Sequence, residues 1–159
     1  MGRRPRLTID RFGEFFFAEN SKSLPLRVYI LSYLFCMSCL FIAIGRLLGL
    51  PHPVVRAQLC TFMERNLHLD HQGMPVGDWI RWQGQQPRQY IATMRRTATW
   101  GGAMEIAMAT KLYRADITVV APGTHRRLAH FVMDDTKSAR RQLWLVWTGN
   151  HYEPLRRIG

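Results

Sequence analysis

The side chains able to do thiol, imidazole or metal chemistry in this 159-residue chain are few: Cys36, Cys39 and Cys60, with His68, His71 and His151 among the histidines. Cys36 and Cys39 are spaced CxxC, and His68 and His71 are spaced HxxH, both of which zinc accepts. The cysteine pair, however, stands in a strongly apolar run without the polar residues usual around zinc ligands. No metal and no other cofactor is therefore expected. Cys60 falls within an apolar pattern of helical spacing and reads as a small buried hydrophobe, as does Cys36. Cys39 differs because it opens the helix-competent stretch "CLFIAIGRLLG". A helix N-terminus favours a thiolate, and a distant histidine would be needed as its base. His151 follows the apolar segment "QLWLVWTG" and is flanked by Tyr152, a position suited to that task.

The elements that must position these residues are legible in outline. Residues 1–23 read as a basic, partly helical arm, followed by an uncharged run over 28–45. That run is near the short end for a membrane-spanning helix, which needs about 20 apolar residues. A soluble domain absorbs the same letters as a buried strand, "RVYILSYLF", then a loop and a helix, and this is the expectation. A membrane span through 28–45 is its rival. Val54, Val55, Leu59, Phe62 and Met63 predict a second helix, with Pro53 in its first turn. Residues 68–88, rich in Gly, Pro and Gln, read mostly as loop. A short helix in "PRQYIATMRR" and a longer one after Gly101 and Gly102 come next. Strands are predicted in "DITVV", "RLAHFVM" and "QLWLVWTG", with a charged turn over 134–141. Helices first and neighbouring strands last make an α+β domain.

Composition sets limits on function. A hydrophobic fraction of 47% is ample for a core. The net charge of +11 admits an anionic partner such as nucleic acid or an acidic lipid surface. Lys and Arg are nevertheless spread along the chain without a block of five like charges, which favours a solvated basic surface over nucleic-acid binding. Three clustered cysteines make no disulfide scaffold, and charges occupy the place of a signal-peptide core. A monomer in the reducing cytoplasm is the resulting expectation.

Three blocks in order carry a family resemblance. "CLFIAIGRLLGLPHPVVRAQLCTFMERN" resembles the first block of the OTU (ovarian-tumour) cysteine proteases, including the Arg-bearing second helix. "YIATMRRTATWGGAMEIAMATKLYRADITVV" is similar to the middle block, and "LWLVWTGNHYEPL" to the closing one. The resemblance implies a papain-like α+β fold over 24–159, helices packed on a small, mostly antiparallel sheet, with 24–38 atypical. It implies Cys39 as nucleophile, His151 as general base, and Glu153 to orient the ring, with Asn150 as rival for that last role. Trp100, Gly101 and Gly102 would shape the groove for an extended peptide tail, and Glu105 matches a family position. The implied activity is hydrolysis of the isopeptide bond after the C-terminal Gly of ubiquitin or a ubiquitin-like protein. Where the family has Asp-Gly-Asn before its nucleophile, this chain has Cys36, Met37 and Ser38. That loop supplies backbone donors to the oxyanion, and losing one such donor costs about 10²–10³ in rate. The departure keeps open a module that binds ubiquitin without cleaving it, beside a small membrane-anchored basic protein. The basic charge also repels ubiquitin's arginine-bearing tail, unless Asp70, Asp78 and Glu105 line the site and offset it.

Overall fold

Apolar spacing after Cys39 becomes helix in the structure, a computed structural model that describes residues 6–9, 15–18, 37–124, 126–133 and 141–157. Helix α1 spans Cys39–Leu48 and α2 spans His52–Arg65. Leu40, Phe41, Ala43 and Ile44 are fully buried, the inward face of a helix laid on a core. A Cβ on Gly45 would run into the carbonyl oxygen of Leu50, so glycine permits the sharp turn from α1 into α2. On α2 the buried stripe is Val55, Leu59 and Met63 at four-residue spacing, with Arg56 and Cys60 beside it.

Residues 39–45 of the uncharged run thus belong to a short core helix. Residues 28–36, the strand expected there and the domain boundary at 23/24 lie outside the described residues. Among the described residues no single helix is long and apolar enough to cross a membrane.

The 68–88 segment is more ordered than its composition predicted. It forms a two-stranded hairpin, β3 (Asp70–His71) with β4 (Met74–Pro75), then helix α3 (Val76–Trp82). The short helix is held by burial of Val76 and Ile80 and by the Gly77 N–H donating to the Leu67 carbonyl at 2.8 Å. Tertiary anchoring outweighs weak local propensity here. Helices α4 (Pro87–Met94) and α5 (Ala103–Tyr113) follow as expected.

A six-stranded mixed sheet completes the fold. Besides β3 and β4 the strands are β1 (Arg6–Ile9), β2 (Phe15–Ala18), β5 (Ala115–Val120), β6 (Arg127–Phe131), β7 (Arg141–Trp147) and β8 (Tyr152–Arg157). Their order is β1-β2-β8-β7-β5-β6, antiparallel except for β2 on β8 and β5 on β7. The described parts of the 1–23 arm are therefore strands rather than helix, and they extend the domain's own sheet. Helices α1 and α5 pack on the sheet, and α2 packs on both of them. All six residues of β5 are buried, and Ile117, Val119, Leu143 and Leu145 share one core with α1, α2 and α5.

Candidate active site

Strand β8 and helix α1 create the site by running side by side in the same sense. At one end the Arg156 guanidinium donates to the Arg46 carbonyl, near the C-terminal turn of α1. At the other end the Tyr152 N–H reaches the Cys39 thiol, at the N-terminus of α1. Antiparallel pairing of β7 with β8, closed by Trp147 opposite Tyr152, turns the chain through Thr148–His151. The N–H of Thr148 donates to the His151 carbonyl at 3.0 Å, which fixes the backbone that carries the imidazole.

His151 and Cys39 meet across this junction, although 112 positions apart in sequence. The ring hydrogen-bonds the thiol, while its Nε2 lies 2.7 Å from Glu153 Oε1. Nδ1 is thereby left for the sulfur. Asn150, the rival orienting residue, instead accepts a hydrogen bond from the Thr148 hydroxyl at 3.2 Å. Glu's extra methylene is accommodated because Glu153 stands on β8 two residues along, on the same side of the strand as the ring.

The electrostatics follow from this geometry. Cys39 is 5% exposed. Burial pushes its thiol up, but the His151 hydrogen bond, the Tyr152 and Leu40 N–H groups and the imidazolium charge outweigh that and hold it below its ordinary value. Cys39 is also the first residue of α1, where unpaired N–H groups and the helix dipole favour an anion. Burial pushes His151 down, yet its bonds to Cys39 and Glu153 and their charges raise it to about 9. The lowered thiol and the raised imidazole together favour the thiolate–imidazolium form of the pair. Cys60 lacks such partners, and burial raises its thiol instead. The rival zinc reading fares differently: Cys36 lies outside the described residues, and Cys39 serves His151. Among the described residues no cluster of three or more His, Cys, Asp or Glu is disposed around a metal.

The segment 99–102 runs beside the first turn of α1. A Cβ on Gly101 would stand 2.8 Å from a Leu40 methyl and 3.0 Å from the Phe41 ring, so only glycine lets the backbone lie this close. Trp100 is 46% exposed, an aromatic face open to solvent next to that approach. Gly102 caps α5, and its N–H donates to Glu105 Oε2 at 2.8 Å. Glu105 is buried, and its Oε1 accepts the Tyr90 hydroxyl at 2.5 Å. Burial raises the Glu105 carboxyl above its ordinary range, against the lowering effect of these donors. Glu105 is thus a structural tie between α4, α5 and the glycine segment, not a groove charge. Asp78 pairs with Arg81 at 2.7 Å and Asp70 accepts the Gly73 N–H, so the acids expected to offset the basic surface have local partners. Glu105→Ala would leave two half-buried donors, the Tyr90 hydroxyl and the Gly102 N–H, without their acceptor, each costing up to about 1–3 kcal/mol. A fall in thermal stability to match is expected from calorimetry; a variant as stable as the parent would contradict the tie.

One contact escapes the sequence reading, which places the arginine in the second helix and the serine in the atypical loop without linking them. Arg56 is 3% exposed and Ser38 is 5% exposed, and the two are hydrogen-bonded at 3.0 Å. The signal for Arg56 was a cation next to the Val55–Leu59–Met63 stripe. Ser38 is marked by its place just before Cys39, but nothing in the letters pairs it with Arg56.

A buried thiol at a helix N-terminus, paired to an imidazole beside a carboxylate, is the arrangement that cysteine hydrolases use. Residues 38–154 match the family model described as OTU-like cysteine protease. The chain belongs to that family. Over 74 residues, 46% of this chain, it is 39% identical to the "Ubiquitin thioesterase OTU1" of Gallus gallus, of which the match spans 24%. Among solved structures it is similar to the OTUD1 OTU domain, with a TM-score of 0.58 at 18% identity, covering 75% of this chain and 79% of that one. The Hazara virus OTU bound to ubiquitin matches with a TM-score of 0.57 at 21% identity, covering 77% of each chain.

Proposed function

We propose that this protein is a cysteine-type deubiquitinase that hydrolyses the bond after the C-terminal Gly of ubiquitin or a ubiquitin-like protein. The observation that carries the reading is the Cys39–His151–Glu153 arrangement, with the thiol lowered and the imidazole raised. The names of the matched relatives support ubiquitin as the substrate class. In this mechanism the Cys39 thiolate attacks the Gly carbonyl carbon, and His151 gives its proton to the departing amine. Water, deprotonated by His151, then attacks the thioester and releases the carboxylate and the thiol. Glu153 holds the ring in the tautomer that presents Nδ1 to sulfur. Trp100, Gly101 and Gly102, beside the first turn of α1, border the path of the extended Gly-Gly tail in this reading. A reducing, cytoplasmic setting belongs to the same reading, since it keeps the thiol free.

Reaction with ubiquitin carrying a C-terminal thiol-reactive group tests it. One covalent adduct is expected, absent from Cys39→Ala and retained by Cys60→Ala. No adduct from folded protein that still binds ubiquitin would replace the enzyme with a non-catalytic ubiquitin-binding module.

A further inference from the structure

The loop before the nucleophile lacks the family's glycine, yet it is not loosely held. The Arg56 guanidinium sits between this loop and the 94–99 segment. Nη1 donates to the Met94 carbonyl at 2.7 Å. Nη2 faces Ser38 Oγ at 3.0 Å, the Thr99 carbonyl at 3.0 Å and the Met37 carbonyl at 3.3 Å. Ser38 Oγ in turn donates to the Thr97 carbonyl at 3.3 Å. The planar group rests 3.9 Å from the centroid of the Phe41 ring, on the first turn of α1. A trans peptide holds its C=O and N–H in opposite directions. Turning the Met37 carbonyl toward Arg56 therefore turns the Ser38 N–H away from it, and Cys39 follows directly in the chain.

Oxyanion donors work only if their direction is set before the reaction, since reorienting them during it would consume the stabilisation. We infer that Arg56 is a positioning residue for the oxyanion donors: through the Met37 carbonyl and Ser38 Oγ it fixes the peptide that leads into Cys39. The same guanidinium ties this loop to Thr99 at the edge of the glycine segment. The inference rests on Cys39 being the nucleophile of an acyl transfer.

Two rates separate this role from general support of the fold. Alkylation of Cys39 by iodoacetamide, read at that residue by peptide mass across pH, needs the thiolate but no oxyanion donor. Turnover of a short peptide thioester ending in Gly-Gly needs both, and does not depend on recognition of folded ubiquitin. Arg56→Met is expected to lower kcat about 10²-fold with KM within about threefold, and to leave the alkylation profile in place. Arg56→Lys rescues little, because one ammonium cannot span Met94 and the 37–38 loop together. Ser38→Ala, which keeps the guanidinium, lowers kcat about fivefold. If Arg56→Met fails to fold, the Ser38→Ala comparison decides alone. Equal losses in alkylation and turnover, or an unchanged kcat in the variants that fold, overturn the inference. So does a parent protein that is alkylated readily yet inert toward the thioester. A parent that turns over the thioester but ignores ubiquitin overturns only the substrate assignment, and the kcat comparison still decides the role of Arg56.

Discussion

Replacing His151 with alanine is expected to lower turnover by about 10³–10⁴-fold, the largest effect of any substitution that leaves the thiol in place. Two losses combine. The Cys39 thiol is held below its ordinary value against the opposing effect of burial, and the ring's hydrogen bond is the largest of the favourable contributions. Without the ring, burial is opposed only by the Tyr152 and Leu40 N–H groups, and the thiol rises toward its protonated form. The leaving amine also loses its proton donor. Iodoacetamide alkylation at neutral pH should slow with turnover and recover as pH rises, because hydroxide can replace the ring in the first task but not in the second. Alkylation unchanged at neutral pH in His151→Ala would mean that the ring does not control the thiol.

Glu153→Ala is expected to cost about 10²-fold in kcat/KM and to narrow the active pH range from its alkaline side. The direction follows from the pair. The active form is thiolate beside imidazolium, so activity rises with pH as Cys39 loses its proton and falls as His151 loses its own, near 9 in the parent. Glu153 supplies a hydrogen bond and a negative charge that raise the ring. Removing it lowers the ring, so the alkaline limb of the kcat/KM profile moves below about 9, while rate at the optimum falls because the ring is no longer fixed at Nε2. An alkaline limb that stays where it was would show that Glu153 does not govern the ring, whatever the rate.

The order of helices and strands was largely legible because it rests on local periodicity. Residues 52–65 and 103–113 announce themselves by apolar spacing, and 115–120 by a β-branched run ended by Pro and Gly. Failures fell where local signals are weak and partners are remote. α3 is too short to signal itself and is held by Val76 and Ile80 against distant residues. β8 contains Pro154 and no β-branched residue, and it is a strand because β7 and β2 supply ladders on both of its sides. β1 and β2 carry arginine and phenylalanine in a basic context that read as an arm, and pairing with β8 makes them strands.

For the site, the sequence by itself determined the candidate groups: a Cys opening a helix, a His after a strand with Glu two residues on, and paired glycines ahead of a second helix. Block order, not spacing, linked Cys39 to His151. Only the tertiary structure decided between Glu153 and Asn150 and turned Glu105 inward to Tyr90 and Gly102. It also buried Arg56 beneath the loop that leads to the nucleophile. The physical reason is the same in each case. A residue type and its neighbours determine what a side chain can do and whether its segment is helix or strand. Its pKa, its hydrogen-bond partner and the direction of the peptides around it depend on groups that only folding brings within about 3 Å.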